Sequence, residues 1–261
     1  AVAKKSGYMP RKQMYAQIIT SSLTVGMGGS AGLESPITIT GAAFGSNFAQ
    51  NFRFNYKDRT LLLACGVASG IAAAFNAPIA GVLFAIEVII ADMSVTAFIP
   101  LMISSATGAI VSAVVLKESI ILNFKSQFTF DYSNIGYYAL VGVAAGFFSI
   151  YHARMFRKVE HFASNLPFGT YRKALIGASM LAVLIFLFPT LFGEGYESIK
   201  SLANNNAADI LENSLLEKFR KNPWIVLAFV GLTAFIKSIA TGLTLGSGGN
   251  GGNFAPSLFV G

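Results

Sequence analysis

The sequence predicts an all-α, polytopic membrane protein whose helices are tilted and broken. Three observations predict it. Charged residues make up 12% of the 261 positions, about half the share of a soluble globular domain. Uncharged apolar stretches recur at close to bilayer-spanning length, and two of them are interrupted by runs of Gly, Ser and Pro.

Hydrophobic residues are 54% of the chain, with 19 Lys and Arg against 12 Asp and Glu for a formal charge of +7. So few charges cannot coat a water-soluble domain of this size, and lipid is the expected solvent for the rest. The single Cys65 excludes a disulfide framework. His152 and His161, nine positions apart, match no metal-ligand spacing, so no metal and no cofactor is predicted. Lys and Arg fall in short clusters, such as Arg154, Arg157 and Lys158, between apolar stretches. They read as membrane flanks rather than as a nucleic-acid-binding face.

The charge-free stretches run over 13–33, 35–52, 60–86, 93–116, 132–151, 174–193, 222–236 and 238–261. Most approach the roughly 20 residues that cross a bilayer as helix. Open strand edges are untenable in hydrocarbon and the alternation of a membrane barrel is missing, so helices remain. Small residues over 67–81 predict close helix packing, and polar stretches at 123–133 and 194–222 predict loops. The chain begins at Ala1 without Met and stops at Gly261 inside an apolar stretch, which predicts a piece of a longer protein. A single membrane domain is expected, with 1–122 and 123–261 as parts of its two repeats.

The interruptions are Gly26–Pro36 (GMGGSAGLESP) and Gly246–Pro256 (GSGGNGGNFAP). Gly32-Leu33-Glu34-Ser35-Pro36 and Gly252-Asn253-Phe254-Ala255-Pro256 share Gly at the first position and Pro at the last. Pro favours the first turn of a helix, and the preceding Gly allows a sharp turn that bares backbone amides. Both segments therefore predict helix N-termini buried at membrane depth, where the dipole and the N–H groups make an anion site. Matching breaks in two halves of a membrane protein point to a transport site. The expected donors are the amides of Gly32, Leu33, Ser35, Asn253 and Phe254.

Glu34 admits two readings. A carboxylate in a first helical turn is stabilised by the dipole, as a simple cap. An ionisable residue in a long apolar stretch defaults to function, and a carboxylate beside an anion site competes with the anion until protonated. The second reading, a pH-dependent gate, is preferred.

GLESP followed by TGAAFG, AAAFNAPIAGVLFAIEV at 72–88, GEGY at 193–196 and GGNFAP at 251–256 together resemble the CLC family of voltage-gated chloride channels and proton/chloride antiporters. The resemblance implies a fold of two inverted repeats, a multi-pass protein of the cell membrane, a homodimer with one pore per subunit, and no enzymatic activity. It places Glu34 at the gating glutamate of the G-K/R-E-G-P motif, with Leu33 and Ser35 as departures. It places Asn253 and Phe254 on the chloride-holding G-x-F-x-P motif. A pore Ser in G-S-G-I-P and a later pore Tyr have no counterpart, which fits a fragment.

Antiporters of the family carry a proton-relay Glu directly after the first Glu of L-F-x-I-E. Here Glu87 matches that first Glu and Val88 fills the relay position. Passive chloride conduction is therefore expected over exchange with protons, although another carboxylate such as Asp92 would restore a proton path. Glu87 reads as a helix-terminal carboxylate paired with a Lys or Arg. Lys237 reads either as an anion attractor or as a residue snorkelling to the interface. From another class, GSGGNG at 246–251 matches G-x-G-x-x-G, the dinucleotide fingerprint of a membrane oxidoreductase, but that fingerprint requires a strand before it.

Overall fold

Runs rich in Ala, Leu, Ile, Val and Phe, punctuated by Gly, Pro and Asn, resolve into helices throughout the computed structural model, which describes residues 6–89, 95–116, 131–204 and 207–260. No strand occurs among the described residues. Ten α-helices are present there: α1 Gln13–Gly26, α2 Glu34–Asn51, α3 Tyr56–Phe75, α4 Pro78–Ile89, α5 Val95–Val111, α6 Ile135–Ser164, α7 Thr170–Leu187, α8 Tyr196–Ala203, α9 Pro223–Gly246 and α10 Phe254–Val260. Asp92, the 117–130 segment and two of the asparagines at 204–206 lie outside the described residues.

Boundaries follow local chemistry. Asn55 caps α3 by accepting the Asp58 amide at 2.9 Å, and α3 ends at Asn76 in the left-handed conformation. Asn222 accepts the Trp224 amide and Pro223 occupies the first turn of α9, where a missing N–H costs nothing. Among the described residues, five helical segments are long and apolar enough to cross a bilayer: Tyr56–Phe75, Thr96–Val115, Tyr132–Ser164, Thr170–Leu187 and Pro223–Gly246.

The chain forms two compact units, Ala1–Ser22 with Glu34–Leu122, and Leu23–Leu33 with Asn123–Gly261. In the first, α2 and α3 lie backbone to backbone. A Cβ at Gly41 would meet the Gly66 carbonyl, one at Gly66 the Gly41 carbonyl, and one at Gly45 the Leu62 carbonyl. These closest contacts fall at glycines outside the predicted 67–81 run; within that run Gly70 packs against Ile37 of α2. Its core gathers Ala43, Leu63, Ala64, Val67, Val82 and Leu101. Polar groups pin the N-terminal segment to α2: the Met9 amide donates to Ser46 Oγ at 3.1 Å, and Asn47 and Gln50 donate to the Met9 carbonyl.

In the second unit α9 is the central helix. It packs on α6 through Phe148, Tyr151 and Phe235, and a Cβ at Gly242 would collide with Val159 of α6. It packs on α7 through Leu181 and Ala240. GSGGNG follows this 24-residue helix rather than a strand, so the dinucleotide-fingerprint reading fails on its structural requirement.

Candidate functional site: two reciprocal helix breaks

Both predicted breaks are present, and α2 and α10 begin within them, at Glu34 and Phe254. The segments Leu23–Leu33 and 243–253 belong to one unit and correspond at a constant offset of 220 positions, from Thr24 and Thr244 through Gly32 and Gly252. Gly28 and Gly248 carry positive φ of 102° and 104°, a conformation costly for any residue with a Cβ. The next amides, Gly29 and Gly249, fold back onto the Thr24 and Thr244 carbonyls at 2.7 and 3.0 Å.

The breaks then exchange hydrogen bonds. Ser30 N–H donates to Thr244 Oγ1 and Asn250 N–H to Thr24 Oγ1, each at 3.1 Å. The Gly32 amide donates to the Gly252 carbonyl at 2.8 Å and the Gly252 amide to the Gly32 carbonyl at 2.7 Å, forming an isolated antiparallel bridge. Irregular backbone at membrane depth must be satisfied by protein, and these two segments largely satisfy one another.

This pairing corrects part of the predicted donor set. The Gly32 amide is committed to Gly252, and the Leu33 amide donates to Glu194 Oε1 at 3.0 Å, so neither is a donor to an anion in this conformation. Ser35, Asn253 and Phe254 remain as predicted positions. Glu34 is 5% exposed and opens α2, while Pro36 and Pro256 are buried in the first turns of α2 and α10. The hydroxyls of Ser30 and Ser247, buried within the breaks, have no hydrogen-bond partner among the described residues. They are polar donors that sequence reasoning missed.

The GEGY corner holds the first break. Gly193 and Gly195 have φ of 63° and 94°, which turns the chain sharply around Glu194. Lys237 is fully buried, and its Nζ donates to the carbonyls of Gly193 at 2.9 Å and Leu191 at 3.3 Å, with the Phe259 ring 5.2 Å away. Lys237 therefore neither snorkels nor stands open to anions, because its ammonium is used inside the protein to brace the corner that carries Glu194. The predicted pairing of Glu87 is also absent among the described residues. Glu87 is exposed near the end of α4; an ion pair that does form among the described residues joins Arg220 and Asp209, in the stretch before α9. Val88 is 59% exposed.

A further unforeseen group is His152 of α6, which reaches Ser238 of α9 and Asn253 of the second break. The 220-position repeat was available in the sequence as TVGMGG and TLGSGG. The His152 contacts, 86 and 101 positions apart, left no local signal. No group of three or more His, Cys, Asp or Glu suited to a metal occurs among the described residues.

The described residues form an all-helical domain with membrane-length helices and paired, Gly-rich helix breaks. The chain belongs to the voltage gated chloride channel family, whose model matches residues 1–261. It is 27% identical over 246 residues to the voltage-gated ClC-type chloride channel ClcB of Escherichia coli K12, covering 93% of this chain and 54% of that protein. It is 26% identical to an uncharacterised protein of Methanocaldococcus jannaschii over 94% of this chain and 57% of that one. The chain thus spans a little over half the length of these curated relatives. Among solved structures it resembles a CLC-type fluoride/proton antiporter (TM-score 0.76, 22% identity, 98% of this chain and 60% of that one) and a slow cyanobacterial Cl⁻/H⁺ antiporter (TM-score 0.76, 23% identity, 97% and 56%). These likenesses establish the CLC fold, and the protein is a multi-pass integral membrane protein.

Proposed function

We propose that the chain is part of an anion transporter that exchanges chloride, or a related halide, for protons. The observation that carries the reading is the pair of reciprocally bonded breaks, with Glu34 buried as the first residue of α2. The proposed donors are the Asn253 and Phe254 amides and the Ser247 hydroxyl of the second break, the Ser30 hydroxyl of the first break and, in the first turn of α2, the Ser35 amide. Dipoles and hydroxyls suit a transport site because they stabilise an anion without holding it too tightly to leave. Glu34 is the proposed gate: ionised, it competes with the anion, and protonated, it yields. Proton exchange is preferred because both solved structures named above are of proton-coupled antiporters.

Passive conduction is the second reading, and Val88 at the relay position favours it, since a valine carries no proton. Protomers pairing as a homodimer in the bilayer, with 1–122 and 123–261 as parts of inverted repeats, complete the proposal. The test is chloride efflux from liposomes containing the full-length protein, with membrane voltage clamped by an ionophore and proton movement followed. Uphill proton movement driven by a chloride gradient is expected. Chloride flux without proton movement selects passive conduction, and absence of any anion flux overturns both readings.

A further inference from the structure

His152 lies in the middle of α6, on the face that packs against α9, and is only 4% exposed, whereas Phe147 and Ile150 beside it are exposed. A buried imidazole needs a partner for each nitrogen. Its Nδ1 lies 2.8 Å from Ser238 Oγ and its Nε2 lies 3.0 Å from Asn253 Oδ1. One turn further along α6 the Phe156 ring stacks on it, with centroids 6.3 Å apart and planes 8° from parallel. Asn253 sits between Gly252, which makes the bridge between the breaks, and Phe254, which starts α10. The ring thus ties two membrane-spanning helices to the second break.

We propose that His152 is a positioning residue that makes anion binding at the second break proton-dependent. The proposal rests on reading that break as an anion site, and it holds under either exchange or conduction. An amide oxygen only accepts, so Nε2 carries a proton in every state and Asn253 stays held. In the neutral ring Nδ1 accepts from the Ser238 hydroxyl. When Nδ1 gains a proton it donates to the same oxygen, and the hydroxyl hydrogen rotates away. Both contacts survive, and one positive charge is added a single side chain from the break.

The charged and titratable surroundings leave that charge without a protein counter-ion. On α9 the charged residue is Lys237, with its ammonium on the Leu191 and Gly193 carbonyls. α10 carries no ionisable side chain, and α7 offers Arg172 and Lys173 in its first turn. On α6 itself stand Tyr151, donating to the Phe235 carbonyl, then Arg154, Arg157, Lys158, Glu160 and His161. No carboxylate lies within ion-pair distance of His152 among the described residues. An anion at the break is the natural counter-charge, and by linkage each then strengthens binding of the other.

The test is isothermal titration of chloride into the full-length protein from pH 8 to pH 5.5, in a Glu34→Gln background that removes the gate's own titration. Affinity is expected to rise about five- to tenfold on acidification, the scale of a single nearby charge. Glu34→Gln with His152→Gln should flatten that rise to less than about twofold. Should the His152 variant fail to fold, Ser238→Ala carries the test. Losing the oxygen costs the imidazolium more than the neutral ring, so the midpoint should move to lower pH. A pH slope unchanged by His152→Gln, or a midpoint unmoved by Ser238→Ala, overturns the inference alone. Absence of binding by chloride, fluoride and nitrate in every variant overturns the anion-site reading beneath it.

Discussion

Single side chains at the breaks carry distinct and separable tasks. Glu34 is a buried carboxylate on the first turn of a helix, and in the proposed function its charge is what opposes the anion. Glu34→Gln keeps the shape and removes the charge, so flux should lose most of its pH dependence, changing by less than about twofold where a titrating gate gives up to tenfold per pH unit, while anion selectivity is retained. Lys237 has a structural task. Lys237→Met fills a similar volume but leaves the Leu191 and Gly193 carbonyls without their donor. A loss of about 1–3 kcal/mol is expected for buried polar groups left unpaired, read as a lower thermal unfolding temperature in detergent. Retention of wild-type stability would mean that the corner around Glu194 does not depend on the ammonium.

At the scale of elements, the breaks hold one another through bonds that repeat. Thr24→Val and Thr244→Val each remove one hydroxyl acceptor from a backbone amide, the half-buried one of Asn250 and the buried one of Ser30 respectively. Each should cost up to about 1–2 kcal/mol, with the larger loss at Thr244→Val, whose amide partner is the more deeply buried. A larger loss at Thr24→Val would argue against burial as the deciding factor. The α2–α3 pair depends on glycine in another way: Gly66→Val places methyl groups against the Gly41 carbonyl, and about 1–3 kcal/mol or more is the expected cost of overpacking. The 3-10 turn Tyr132–Asn134 that leads into α6 is capped by Asp131, which accepts from the Ser133 amide at 2.9 Å and from its hydroxyl at 2.8 Å. The backbone bond, with the hydroxyl bond second, holds the Asp131 carboxyl below its ordinary value. Its stabilisation is therefore complete above the unfolded-state value of about 4 and fades as pH falls through the lower folded one. Protection factors at 133–138, taken against the intrinsic exchange rate at each pH, should fall below about pH 4, and Asp131→Asn should remove that pH dependence while keeping the cap.

For the whole molecule, the main question is which surface meets lipid. Leu140, Phe147 and Ile150 of α6 are exposed large hydrophobics, while Arg220 and Asp209 pair in the polar stretch before α9. Cys65 is buried, so introduced cysteines can be read against a quiet background. Leu140→Cys and Phe147→Cys should resist a charged maleimide in liposomes, whereas Lys218→Cys should react readily. Equal reactivity would place α6 in water and contradict a spanning role.

The sequence by itself determined the solvent, the helical class and the location of both breaks. Those properties depend on composition, segment length and Gly/Pro placement, which act within about 20 residues of chain. It located Glu34 for the same reason, since one acid in a long apolar stretch stands out without reference to any partner. Tertiary structure alone decided how the breaks are satisfied. Gly32 and Leu33 looked like donors for an anion because their partners, Gly252 and Glu194, lie far away in sequence. Lys237 looked exposed to two fates and has a third, because the Leu191 and Gly193 carbonyls that receive it are brought there only by the fold. His152 gave no signal, because a buried imidazole acquires meaning from what its two nitrogens reach. Hydrogen bonding is directional and short-ranged, so chemistry shared between distant segments is settled only once the chain has packed.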